Sequence, residues 1–192
     1  MRTMFLSTAL ALFIMSGVTS AQQEDLADPE MASPPMGPPD QMEEVAFLIG
    51  EWTADMQWRM DSESEWEESR GTAVYSSILG GGAIMLDYTD ETMAGMPMPF
   101  HGIGIQTYDR ETGEWQMMWM DNIMCRQSMY TGNKEGDKTV LTGEDRYAGM
   151  TMLSRITTYN ETASSFDWKM ENSMDGGKTW FVSGKAHYEK NM

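Results

Sequence analysis

The sequence predicts an all-β domain, a single antiparallel up-and-down β-barrel of about ten strands with a short helix or turn in front of it. Three observations carry this. Short runs of β-type residues alternate with turn signals from Trp52 to the carboxyl terminus. Several runs place apolar side chains at every second position, as in Phe166, Trp168 and Met170, which is the period of a strand with one buried face. No long stretch repeats apolar residues at helical spacing. Short connections between successive strands favour up-and-down order, and closing the sheet removes edges that would otherwise pair with other chains.

The elements follow in chain order. Arg2 precedes a mostly apolar run from Leu6 to Ile14, and Thr19, Ser20 and Ala21 are small residues where a peptidase would cut. This is the pattern of a secretory signal peptide over residues 1–21. It predicts an exported protein, periplasmic or secreted. The run is too short for a membrane span, and no other stretch approaches about 18 consecutive apolar residues. No cysteine follows the run, so a lipid anchor is not expected. Residues 22–42 are rich in acids, proline and methionine. Pro34-Pro35 and Pro38-Pro39 oppose helix and favour extended, solvated chain, so a disordered linker is expected there and the barrel domain over residues 43–190.

Glu43 to Ile49 has the length of a short helix or turn leading into Gly50. The candidate strands are residues 52–60, 66–78, 83–90, 100–108, 115–122, 126–131, 138–147, 151–159, 165–172 and 178–188. Gly113, Gly132-Asn133, Gly136-Asp137 and Asp175-Gly176-Gly177 are the breakers between later runs.

Charge narrows the function classes. Lys and Arg total 13 against 30 Asp and Glu, a formal net charge of -17, and loss of Arg2 with the signal peptide makes the remainder one charge more negative. Nucleic acid needs clustered basic residues, and an anionic membrane surface repels this chain. Cys125 is the only cysteine. That excludes an internal disulfide and a four-thiolate metal site, and a buried, inert thiol is expected.

Phe47-Leu48-Ile49-Gly50-Glu51-Trp52 opens a set of motifs that resembles the DUF1579 family, domains of unknown function with a calycin-like, lipocalin-like barrel. The resemblance continues through Ile78-Leu79-Gly80-Gly81, Met93 to Phe100, Gly102-Ile103-Gly104, Tyr108-Asp109, Trp115, Trp119 and Asp121, and Leu141 to Glu144. It implies the fold and no particular chemistry.

The candidate ligand-binding residues are those expected to face the lumen. In lipocalin-like barrels a Gly-x-Trp plugs the base, so Trp52 is either a core plug or the floor of a ligand site. Gly102 and Gly104 lie two apart on a strand and mark a bend or a close approach. Phe100 shares their face, and His101, although it points opposite the glycines, is counted with the ligand-binding candidates. Trp115, Met117, Trp119 and Asp121 share one face of their strand. An inward Asp121 needs a partner, and Arg126 and Arg155 on later strands are the candidates.

The sequence holds no Gly-x-Ser-x-Gly, no His-Glu-x-x-His and no phosphate loop, so no catalytic residue is assigned and an enzyme is not the first expectation. No cofactor is expected either. His187 on the last strand is a weak candidate for a haem ligand, as in nitrobindin-type barrels. Met96, within the Met93–Met98 cluster, is a weak candidate for copper, because thioethers suit Cu(I). Three classes stay open: a binding module holding a small apolar or amphipathic ligand in an aromatic lumen, a haem-binding or other small-molecule enzyme, and a homo-oligomeric structural or interaction protein.

Overall fold

The structure, a computed structural model, describes residues 35–93, 98–147 and 149–191. The chain divides into two units, Met1–Pro35 and Met36–Met192, and the barrel is the second. The expected signal peptide, most of the expected linker, and Met96 lie outside the described residues.

Ten antiparallel strands close into one up-and-down barrel: β1 (Gly50–Trp58), β2 (Glu67–Ile78), β3 (Ala83–Asp90), β4 (Phe100–Asp109), β5 (Glu114–Asp121), β6 (Ser128–Glu135), β7 (Lys138–Tyr147), β8 (Met150–Tyr159), β9 (Ser165–Ser173) and β10 (Phe181–Lys190). Each strand pairs with its neighbour in sequence, and β1 pairs with β10 to complete the circle, Trp52 lying opposite Lys190 and Trp58 opposite Gly184. No edge is left open, which is how an isolated sheet of this size avoids pairing with other chains. Among the described residues no helix is long and apolar enough to cross a membrane.

Because the chain meanders, the connections fall alternately at two ends. One end is closed by a 3-10 helix, Asp40–Leu48, begun by Pro39 and carrying Asp40 and Glu43 in its first turn, where acids suit the positive helix terminus. It buries Met42 and Leu48. Met42, at the end of the expected linker, packs with Ile84, Trp115, Tyr130, Leu141 and Ile156. The opposite end, here called the mouth, carries the β1–β2, β3–β4, β5–β6, β7–β8 and β9–β10 connections.

The core lies inside the barrel as two clusters. One joins Trp52, Ala54, Met56, Ala73, Tyr88, Phe166 and Tyr188, and the other joins Met42 with residues of β3 and β5–β8. Tyr75, Trp119 and Trp168 touch both clusters and so bridge the lumen. Large inward rings face small residues across the sheet. A Cβ at Gly71 would stand 2.2 Å from the Tyr88 hydroxyl, and one at Gly102 would stand 2.1 Å from Trp119 Cζ2. This large–small alternation is what fits side chains into a narrow barrel.

Two strand limits depart furthest from expectation. Gly132-Asn133 does not break the chain. β6 runs through it to Glu135, because Val140 of β7 approaches so closely that a Cβ at 132 would stand 2.1 Å from its carbonyl oxygen. β10 starts at Phe181 rather than 178. Asp175 accepts the backbone N–H groups of Lys178 and Thr179 and holds that segment as a loop.

Candidate functional site

Strand register sorts the inward side chains. Across β2–β5 the face of Trp52 continues through Ala73, Tyr88, Gly102 and Asp121. Trp115, Met117 and Trp119 share that face, as period two predicts, and so does Phe100, opposite Asp90. Not all inward residues are sealed. Tyr75, Leu86, Phe100, Met117, Trp119 and Trp168 point inward yet stay only partly buried, whereas Trp52 is 0% exposed. These six side chains are less tightly enclosed than Trp52.

Trp52 is fully enclosed in the core. Its indole N–H donates to the Leu48 carbonyl at 2.6 Å, tying the 3-10 helix to β1. Phe47 and Phe166 stand edge-on to it at 6.5 and 5.0 Å, and the Lys190 ammonium sits 5.1 Å from its ring. No face is free. Trp115 is buried in the same way, edge-on to Tyr108 at 5.3 Å. Phe100 and Trp119 differ: they stack at 6.3 Å and stay partly open.

Toward the mouth the inward positions turn polar and form a collar. Asp145 accepts hydrogen bonds from the Ser128 hydroxyl at 2.5 Å and the Tyr130 hydroxyl at 2.8 Å, and Arg126 reaches it at 3.4 Å. Burial, and then the neighbouring Asp145 charge, push the Tyr130 hydroxyl well above its ordinary range. Asp90, 1% exposed, accepts the Tyr88 hydroxyl and both the N–H and the hydroxyl of Thr92. On β8–β10, Ser154 donates to Asn172, and Asn172 donates to Ser183, each at 2.8 Å. Burying these groups is tolerable because each has a partner. Two collar-side atoms have none: the Trp58 indole N–H and the Ser69 hydroxyl are buried without a hydrogen bond.

The expected Asp121–Arg pair is corrected. Asp121 does face inward, but it accepts the Trp119 indole N–H at 3.0 Å and the backbone N–H groups of Ile123 and Met124. Its own turn satisfies it. Arg126 instead meets Asp145. Arg155 leaves the lumen altogether, pairing with Glu171 on the outer face at 3.0 Å and lying over the Trp180 ring. It lies opposite Thr142 and Glu171, between the inward Ser154 and Ile156, and alternation sends it outward.

Both histidines are also outside. His101 meets Asp87 at 2.9 Å. His187 meets Asp167 at 2.7 Å in an outer-wall groove of about 430 Å³ shared with Asp55, Gln57, Glu68 and Lys185. The hydrogen bond to Asp167 raises the His187 pKa above its ordinary 6.5, against a smaller effect of desolvation. A haem held in the lumen would not meet His187, and His101 does not line the lumen. Among the described residues no group of three or more His, Cys, Asp or Glu converges on a metal position. Cys125 is exposed rather than buried. It sits in the β5–β6 connection with a left-handed φ of 48°, where a turn keeps its side chain off the core.

The sequence reading missed the collar hub Asp145 and the bridging ring Tyr75. Trp168 and Met170 were signalled by their clean alternation in β9. Asp145 carried no such signal, since its role rests on cross-strand neighbours on β6.

Comparison with known proteins agrees with this geometry. Solved structures share the fold, two of them as follows. The crystal structure of Rv2717c from M. tuberculosis aligns with a TM-score of 0.59 at 9% identity, covering 81% of this chain and 100% of that one. The S-type phycobiliprotein lyase CPES from Guillardia theta aligns with a TM-score of 0.55 at 9% identity, covering 78% and 92%. No curated protein matches the sequence. The family described as "Protein of unknown function (DUF1579)" matches residues 38–188, nearly the whole barrel, and the chain belongs to that family.

Proposed function

We propose that the barrel is a binding module for a small apolar or amphipathic molecule held in its lumen. The carrying observation is that Tyr75, Leu86, Phe100, Met117, Trp119 and Trp168 point inward and are only partly buried. A core built for stability alone packs to the density of an organic crystal, and aromatic surface open inside a barrel is what a ligand pocket is made of. The collar adds polarity at the entrance. Three carboxylates, Asp90, Asp121 and Asp145, point inward at this end and one of them, Asp145, meets a cation, Arg126, so a neutral or cationic head group fits better than a carboxylate. That a fold neighbour is by name a phycobiliprotein lyase supports a scaffold used for more than its own core.

The test is uptake of the fluorescent apolar probe N-phenyl-1-naphthylamine, with native mass spectrometry of the purified full chain. The unmodified protein should bind the probe saturably and quench its tryptophans. Gly104 faces the lumen, and a Cβ there would make ordinary contacts with Leu86, Trp119 and Met117 at 3.4 to 3.5 Å. Gly104→Leu should fill the space and abolish uptake while the protein stays folded by circular dichroism. Absence of any uptake by the unmodified protein, or equal uptake by the folded variant, overturns the proposal.

A further inference from the structure

Eleven large apolar side chains are exposed among the described residues, and their placement is uneven. Met36, Ile49 and Leu79 lie near the plugged end. The other eight are at the mouth, and the middles of the barrel walls carry none. Each of the five mouth connections presents one: Met60 after β1 at 74% exposure, Met98 before β4 at 54%, Met124 after β5 at 42%, Met150 at the start of β8 at 54%, and Met174 after β9 at 43%. Ile123 beside Met124, and Met120 and Met129 on the adjoining strand ends, widen the same rim.

Single exposed apolar residues need no explanation, but a cluster on one face of an otherwise charged molecule marks a contact surface. The residue type matters too. Methionine is unbranched and polarizable, and surfaces made of it mould to partners of varied shape. Acids stand among these methionines. Asp61, Glu63 and Glu65 follow Met60, Glu67 and Glu68 open β2, Glu91 begins the β3–β4 connection, and Asp175 follows Met174, and they outnumber the cations at this end, Arg59, Arg126, Arg146 and Lys178. The whole chain carries -17.

We infer that the mouth rim docks a basic amphipathic helix of another polypeptide, its apolar face against the methionines and its Lys and Arg against the surrounding carboxylates. Charge complementarity selects this occupant. An anionic lipid or a nucleic acid would meet the same carboxylates and be repelled, whereas an amphipathic cationic helix satisfies both features at once. This docking does not depend on what the lumen holds.

The test titrates the full chain with melittin as the basic amphipathic probe, followed by calorimetry. Oligolysine and a melittin sequence with Glu in place of its Lys and Arg serve as controls. Melittin should bind saturably, and raising NaCl from about 50 to about 500 mM should weaken it about tenfold. Neither control should bind comparably. The five-fold variant M60Q/M98Q/M124Q/M150Q/M174Q should weaken binding at least about tenfold with an unchanged circular dichroism spectrum. Met36→Gln with Leu79→Gln at the other end should leave binding intact. Four results would overturn the inference. One is that melittin fails to bind or oligolysine matches it, so that no docking or charge alone acts; another is that the rim variant binds as the parent does. Rim-dependent uptake onto phosphatidylcholine vesicles without melittin binding would make the rim a lipid contact. A concentration-dependent dimer lost in the rim variant, again without melittin binding, would make it a contact between two copies of this chain.

Discussion

Two inward glycines two residues apart on β4 behave differently, and the difference is measurable. At Gly102 a Cβ would stand 2.1 Å from Trp119 Cζ2, which is impossible without moving the ring, while at Gly104 the nearest atoms are at 3.4 Å. Gly102→Ala should destabilise by about 2 kcal/mol through overpacking, with Gly104→Ala close to neutral in the same urea titration. Equal effects would mean that Trp119 is free to move. The outward His187 makes a second residue-scale prediction. Its pKa is raised above 6.5, first by the hydrogen bond to Asp167. For Asp167, desolvation pushes the carboxyl up, but hydrogen bonds from His187 and Asn160 overcome it and leave the pKa below 3.8. The histidine's contribution is complete below pH 6.5 and is lost as pH rises through its higher folded value. The aspartate's is present above 3.8 and is lost as pH falls through its lower folded value. The stability difference between the parent and His187→Gln should therefore be largest near about pH 5 and vanish by about pH 9. The pair is half-exposed, so the effect is small. A difference that grew with pH would contradict the assignment.

The 3-10 helix is the element that makes the barrel one-ended. Met42 and Leu48 enter opposite sides of the core, and Leu48 also offers its carbonyl to Trp52. Leu48→Ala should cost about 3 kcal/mol and Met42→Ala about 2 kcal/mol in equilibrium unfolding. The pair should be nearly additive, because the two residues serve different clusters. A neutral Met42→Ala would return that residue to the solvated linker. The sequence marked this element at Glu43 to Ile49 but began it too late, because Pro38-Pro39 reads as extended chain and only tertiary contact shows that Met42 is buried. The strands were more legible. β2, β3 and β7 sit within a residue of their expected limits, since alternation and turn residues are local signals. β6 was misjudged at Gly132, whose cause is a close approach from β7.

At the scale of the molecule, a formal charge of -17 over the whole chain means self-repulsion in the folded state. The melting temperature should rise as NaCl goes from about 20 to about 500 mM, because screening shortens the reach of that repulsion. A flat or falling profile would show that the outer-wall ion pairs, such as Arg70–Asp55 at 2.6 Å, outweigh the net field. The barrel is closed by pairing β1 with β10, so Trp52 must meet Lys190 across nearly the whole domain.

Local pattern was sufficient to determine the strand count, the up-and-down order and the inward face of Phe100, Trp115, Trp119 and Asp121, because a strand's side-chain period is a property of the chain itself. Which charges pair was decided only in three dimensions: Asp121 with its own turn, Arg126 with Asp145, and Arg155 with Glu171 outside. Partner choice depends on register between strands distant in sequence and on which end of the barrel a residue reaches. No local spacing encodes either, and the gathering of exposed methionines at the mouth follows from the same closure.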